Sequence, residues 1–535
     1  MVTVACWLLL TVGADARPID TIVVAPPEFV PTLEPWLAYR HAQGHRFVHI
    51  GKIGSAEDLR GQIRRVAEKH PVKTIVLVGD ADHSYGRDER LKARTVPTHL
   101  AKATVNVKFG SEVELATDNY FADLDDDQIP DVAVGRLPAD SAEELSLFIR
   151  KSLAYEKLAT HGAWRQKVNI IAGVGGFGAL VDSVVEMSTK QFLTAGIPAS
   201  YTTSMTYGSW RSPYSPDPRL FHAVTRQRLE EGCLFWVYIG HGQTRELDRV
   251  IVPGAALPIF KAEDSAKLRP QPHWPIALFL ACYTGAFDQP KDCLAEELLR
   301  SEGGPVAILA GSRVTMPYGM AVMGTEMLQE TFQKRPATLG ELVLKTKREM
   351  MKPPVEAEEG KLDNRQMLDA LAAAISPAAD QLTEERLEHV QLFNLLGDPL
   401  LRLAQPLPMT VRIDGEPKPG QPLRIAGTAD LAGRCTLELV TRRDGLRFKP
   451  EGRDRFDPTE PALRKMHDTY LAANDPRWAH VAFQHSGGDF AQDLVIPADC
   501  RGACHIRAFI EGTDGHAVGA VDLTVRPPRK DEPAK

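Results

Sequence analysis

The chain has 535 residues, 43% of them hydrophobic and 25% charged, with a formal net charge of -7. That length exceeds what one hydrophobic core serves, so two or three domains are expected, and the balance is that of an ordinary globular protein rather than a disordered one. No block of lysines or arginines supplies the electrostatic footprint of nucleic-acid or anionic-lipid binding, which argues against a phosphate-tracking role.

The chain opens on an uncharged stretch, Val2 to Val12, followed by Ala14-Asp15-Ala16. This small-x-small pattern predicts a signal peptide over residues 1–16 and export to a secreted, periplasmic or cell-surface location. No later apolar run is long enough to cross a bilayer as a helix. From Thr21 the pattern alternates. The strand TIVVAP, the helical PTLEPWLAYRHAQG, the strand RFVHIG, the amphipathic AEDLRGQIRRVAEKH and the strand TIVLVGD predict a parallel sheet with covering helices over residues 17–160.

The same theme fills residues 161–407: VNIIAGVGGFG, a helix from Leu180 to Ala195, CLFWVYIGHG, PIALFLAC, the helix CLAEELLRSEGG and PVAILAGS. One α/β unit and two side-by-side halves both fit this order. Residues 338–390 read as helical, and the prolines of FNLLGDPLLRLAQPLP mark a boundary near residue 407. Beyond it, TVRI, LRIAG, CTLELV, HVAFQ, DLVIP, CHIRAFIEG and AVGAVDLTV are short strands between Gly, Pro and Asp turns. They predict an immunoglobulin-like β-sandwich over 408–527, interrupted by a polar insertion at 451–478 and followed by a disordered tail, 528–535.

Two apolar strands end on reactive side chains: WVYIGHG stops at His241, and PIALFLACYTGAFD turns at Cys282. In a parallel α/β sheet, functional groups collect at the carboxyl ends of strands. An imidazole beside a thiol raises the thiolate fraction, so the two side chains make a nucleophile and a general acid/base. Gly242 leaves room for a substrate carbonyl and offers its N–H as an oxyanion donor. Either residue alone reads as a buried thiol or a satisfied turn histidine. Both together, at the ends of consecutive strands and followed by small residues, point to chemistry.

Several stretches in register strengthen this. LVGD at Leu77–Asp80, TDNYFADLDDDQIPDVAVGRLPA from Thr117, YIGHG, LACYTGAFD followed by LAEELL and GGPVAILAGSR, and NLLGDPLLRL from Asn394 resemble the gingipain family of cysteine peptidases across roughly residues 20–405. The resemblance implies a caspase-like fold, with a mostly parallel sheet flanked by helices. It implies Cys282 as nucleophile on a peptide carbonyl, His241 as proton donor to the leaving amine, and the Gly242 and Cys282 N–H groups as the oxyanion site. It also implies that Asp131 orients the histidine, that no cofactor is required, and that the partners are protein or peptide substrates.

Asp131 ends a D-x-D-x-D run that reads equally as a calcium loop, with Asp123, Asp125 and Asp127 as ligands, or as a solvated acidic turn. Gln128 stands where such loops carry glycine, and no glutamate stands at the twelfth position. GVGGFG has the G-x-G-x-x-G spacing but lacks the acid that a dinucleotide site needs, so it reads as a tight strand–helix turn. Of the seven cysteines, Cys500 and Cys504 predict a local disulfide or a bond from one of them to Cys435. A protein that keeps the fold without hydrolysis is the competing reading.

Overall fold

The structure, a computed structural model, describes residues 17–81, 93–158, 161–174, 196–353 and 364–526. The expected signal peptide, the helix from Leu180, most of GVGGFG and the C-terminal tail lie outside these residues.

Strands form where apolar, β-branched-rich runs are stopped by Gly or Pro. In chain order they are β1 (Thr21–Val24), β2 (Phe47–Ile50), β3 (Thr74–Val78), β4 (His99–Lys102), β5 (Glu114–Thr117), β6 (Ala133–Leu137), β7 (Lys167–Ala172), β8 (Thr202–Tyr207), β9 (Phe235–Ile239), β10 (Arg249–Val252), β11 (Ala255–Pro258), β12 (Ile276–Leu280), β13 (Ala307–Gly311) and β14 (Phe393–Leu396). Ten of them build one sheet in the order β2-β1-β3-β6-β14-β13-β12-β9-β7-β8. All neighbours are parallel except β13 and β14. The two α/β stretches, 17–160 and 161–407, therefore share one sheet whose halves run in opposite directions, with β14 stitched between them.

β3, β9, β12 and β13 are buried along their whole length, because helices cover both faces. On one face Val23 and Val76 pack with Leu33 and Trp36 of helix Val30–Ala42 and Leu145 of helix Ala142–Lys157. On the other, Ile22 and Ile75 meet Leu59 and Ile63 of helix Ala56–Ala67. That helix starts on a capping box, Ser55 accepting from the Asp58 N–H while the Asp58 carboxylate accepts from the Ser55 N–H.

Much of the motif polarity serves this architecture. Buried Arg136 of VGR forms two 2.7 Å bonds to Asp118 and caps the Gly79 and Val96 carbonyls. Buried Asp398 of LGDP accepts from Trp36 Nε1, Arg40 Nη2 and Ser152 Oγ. Paired and hydrogen-bonded charges of this kind fix one arrangement of the strands, and removing one partner strands the other.

The C-terminal part is a separate antiparallel unit. β15 (Leu407–Pro408), β16 (Thr410–Asp414), β17 (Pro422–Ala429), β18 (Gly433–Thr441), β19 (Arg477–His485), β20 (Gly488–Val495), β21 (Gly502–Glu511) and β22 (His516–Val525) form a five-stranded sheet, β15-β22-β21-β18-β19, and a three-stranded one, β16-β17-β20. Their alternating inner residues make a core of their own. The expected polar insertion holds a helix, Glu460–Ala473, whose Leu463, Met466, Tyr470 and Ala473 line a buried stripe. It docks on the α/β sheet: Tyr470 shares a 2.9 Å hydrogen bond with Thr206, and the Asn474 amide bonds both the N–H and the carbonyl of Met205 in edge strand β8.

Register also sorts the cysteines. Cys504 stands opposite Thr441, whereas Cys435 on the same strand stands opposite Ile510. Six residues of strand separate them, about 20 Å. Cys500 and Cys504 are instead in side-chain contact; all three are free thiols in this structure, and only the local pair is within reach of bonding.

Candidate active site at the strand ends

β9 and β12 are adjacent and parallel, with Ile239 paired to Leu280. His241 lies two residues beyond Ile239 and Cys282 two residues beyond Leu280, so both leave the sheet side by side at the same edge. Gly240 N–H donates to the Leu280 carbonyl at 3.2 Å and extends the pairing by one step. The two chains then nearly touch. A Cβ on Gly242 would lie 2.6 Å from the Cys282 carbonyl oxygen and 2.8 Å from Thr284 Cγ2, so only glycine fits there.

The thiol is half-buried and faces the loop after β13. Thr315 N–H donates to Cys282 Sγ at 3.3 Å, and Thr315 Oγ1 lies 3.4 Å away. Thr315 is held in turn by its neighbour, since Met316 N–H donates to His389 Nε2 at 2.9 Å while His389 Nδ1 faces the Glu385 carbonyl at 2.7 Å. Burial pushes His389 down to about 4, so its ring stays neutral and able to accept.

Tyr283, next to the nucleophile, has φ 58°, the left-handed region that side chains rarely adopt. Tyr283 N–H bonds the Arg313 carbonyl, and Arg313 grips Asp288 of the same loop through bonds of 2.8 and 2.6 Å. The turn that presents Cys282 is thus strained and braced from both sides.

His241 sits in a tight antiparallel hairpin. Gly242 bridges Leu247, Gln243 N–H donates to Glu246 O, and Asp248 N–H donates to His241 O at 3.2 Å. This pattern makes Gly242–Leu247 a non-hydrogen-bonded pair, so the Gly242 N–H points away from Leu247. Among the described residues neither the Gly242 nor the Cys282 N–H has a backbone acceptor.

The pattern also sets Asp248 directly opposite His241. Buried Tyr238 joins the two, its hydroxyl donating to His241 O at 2.8 Å and accepting from Asp248 N–H at 3.3 Å. Burial raises the Asp248 carboxyl, while the Arg249 N–H and the charge of the His241 ring pull it back down. Sequence reasoning missed Asp248. Its signal was the seven-residue spacing in HGQTRELD, which a two-residue hairpin turn converts into a cross-strand pair.

Asp131 lies elsewhere. It precedes β6, which stands four strands from β9 in the sheet, about 19 Å at ordinary strand spacing. Its carboxylate accepts from Leu124 N–H at 2.8 Å and pairs with Arg348 at 3.3 Å. The structure does not bring it to His241. Instead Asp123, Asp125 and Asp131 each direct one oxygen to within 4.8 Å of the others. Asp127 turns its carboxylate to the Ile129 N–H. Gln128 holds the loop's turn with φ 70° although it is not glycine. A second acidic group, Asp80, Asp140 and Asp292, converges in the same way, with the Arg300 guanidinium against Asp140 and Asp292.

Neighbouring parallel strands of a helix-flanked sheet thus deliver a thiol and an imidazole side by side. Residues 14–404 match the profile of Peptidase family C25, and the chain belongs to that family. It is 23% identical over 304 residues to Lys-gingipain of Porphyromonas gingivalis, a match covering 55% of this chain and 16% of that protein, so the chain spans a small part of the curated relatives' length. In fold it is similar to the complex of the Porphyromonas gingivalis RgpB pro- and mature domains, with a TM-score of 0.53 and 16% identity over 95% of this chain and 100% of the other. It is also similar to the Arg-specific cysteine proteinase gingipain R, with a TM-score of 0.52 and 15% identity over 95% and 98%. No helix among the described residues is long and apolar enough to cross a membrane.

Proposed function

We propose that the protein is an exported cysteine endopeptidase in which Cys282 and His241 carry the reaction. The observation that carries this reading is the equal two-residue offset of the two side chains from a shared strand pair. His241 takes the thiol proton, and sulfur attacks the peptide carbonyl to form a C–S bond. Charge moves to the carbonyl oxygen, which the Gly242 and Cys282 N–H groups receive. Collapse breaks the C–N bond as His241 returns its proton to the amine. Water, deprotonated by His241, then hydrolyses the thioester and restores the thiol.

No cofactor takes part in these steps. A calcium ion at the acidic turn, held by Asp123 and Asp125 with Asp131 in the place first given to Asp127, would be structural. The C-terminal unit, read as an immunoglobulin-like sandwich, serves as a docking module on the catalytic sheet.

The test is cleavage of a peptide library by purified protein beside Cys282→Ala. The substitution should reduce hydrolysis to background, and iodoacetamide should label Cys282 selectively and pH-dependently in the unsubstituted protein. Equal cleavage by both proteins overturns the reading, and labelling no faster than that of the buried Cys233 and Cys293 favours a non-catalytic protein that keeps the fold.

A further inference from the structure

The geometry points to Asp248 as the positioning residue of this site, the carboxylate that orients His241 and stabilises its protonated ring; the assignment rests on the peptidase reading above. Four observations converge on it. The Gly242–Leu247 bridge makes His241 and Asp248 cross-strand partners, and directly opposed residues carry their side chains on one face with Cβ atoms about 5 Å apart. The Asp248 N–H to His241 O bond closes that pair. Tyr238, anchored in the buried end of β9, holds the backbone of both residues with one hydroxyl. Space is kept for the carboxylate by Gly173 at the end of β7, where a Cβ would come within 3.3 Å of Asp248 Oδ2 and 3.0 Å of the Tyr238 hydroxyl.

Among the described residues, the groups around His241 leave Asp248 as the acid available for this task. Tyr238 is buried, its phenol pushed well above its ordinary range, and it spends its proton on a carbonyl. Glu246, two residues before Asp248, is engaged by Arg249 at 3.8 Å and by Lys261 at 3.7 Å. Cys282 stands on the other strand end as the partner in proton transfer. Asp248 Oδ1 is fixed by the Arg249 N–H at 2.7 Å, so the carboxylate is oriented before substrate arrives. A carboxylate so placed selects one tautomer of the ring, directs the other nitrogen at the thiol, and favours the imidazolium formed when the thiol ionises.

The test compares the unsubstituted protein with Asp248→Asn, Asp248→Glu and Asp131→Asn. It reads kcat and KM on a peptide amide and the rate of Cys282 alkylation against pH. Asp248→Asn should lower kcat on the order of 10² to 10⁴-fold with KM changed by less than about threefold. It should also move the rise of alkylation to higher pH, a displacement that a merely structural role would not produce. Asp248→Glu should restore part of both, and Asp131→Asn should change neither. Should Asp248→Asn fail to fold, the unsubstituted protein decides: a low-field imidazole proton that His241→Gln abolishes supports the pair, and its absence from pH 5 to 9 overturns it. Normal kcat and an unmoved alkylation profile in Asp248→Asn, with Cys282→Ala inactive, also overturn it. Activity in Cys282→Ala would sink the peptidase reading instead.

Discussion

The acidic turn at residues 123–131 and the hairpin at 241–248 place carboxylates in opposite ways. The turn gathers several acids within nine residues, and nearly every one is spent locally: Asp123 accepts from the Asp126 and Gln128 N–H groups and meets Arg60, Asp127 accepts from Ile129, and Asp131 from Leu124. The hairpin has two acids: Glu246 meets Arg249 and Lys261, while Asp248, half-buried at its far end, stands opposite the ring proposed to change charge during turnover. Local density of carboxylates marks a loop that holds itself together. A carboxylate not spent on its own loop and held opposite a titratable ring is the arrangement that the proposed chemistry uses.

That contrast can be broken most sharply by exchanging the roles. Beyond its kinetic effect, Asp248→Asn should leave thermal stability at neutral pH unchanged or higher. Asp248's carboxyl is raised in the folded state, so its favourable contribution is present below the unfolded value and is lost as pH rises through the folded one. At neutral pH the ionised side chain is a cost that asparagine removes. Asp131→Asn should do the reverse, keeping kcat within twofold while weakening the bonds to Leu124 and Arg348, with a loss of about 1 kcal/mol seen as a lowered Tm. Both proteins behaving alike would erase the distinction between the two regions.

Gly242→Ala comes next. Its methyl group would meet the Cys282 carbonyl and Thr284, so the strand ends must part. Turnover should drop on the order of 10² to 10³-fold, measured on the same peptide amide, whereas Asp125→Asn in the turn should leave turnover intact.

A smaller effect separates the regions by metal. If calcium occupies the turn, chelation should lower Tm by a few degrees and added calcium should restore it, without moving kcat at temperatures below unfolding. Smallest of all, peptide mapping under non-reducing conditions should recover Cys500 joined to Cys504 and leave Cys282 alkylated, with turnover unaffected by Cys500→Ser.

The sheet-forming half of this architecture was legible because buried parallel strands need continuous apolar runs, and β3, β9, β12 and β13 are written that way. The proposed nucleophile and base stood out for the same reason, each being the reactive residue that follows such a run. Asp248 was hidden because it is brought to His241 by hairpin pairing rather than by periodicity, in a segment whose polar residues look like an ordinary surface loop. Arg136 and Asp398 show the converse. They stand in the most recognisable motifs, yet their bonds to Asp118, Trp36, Arg40 and Ser152 serve strand order. The helix Glu460–Ala473 was read as a polar insertion because its buried residues are few and its partner, β8, lies more than 250 residues earlier.

The grip of Asn474 on both backbone groups of Met205 reaches beyond domain docking. β8 is the last strand of the ten; the Tyr207 N–H on its outer side already bonds the Tyr214 carbonyl, and Asn474 covers the Met205 groups that would otherwise be open to an extended chain. By holding Met205 with a side-chain amide, the C-terminal unit covers part of the sheet's open margin. A chain shortened to the α/β sheet would bare the Met205 N–H and carbonyl, a strand edge able to pair with another copy.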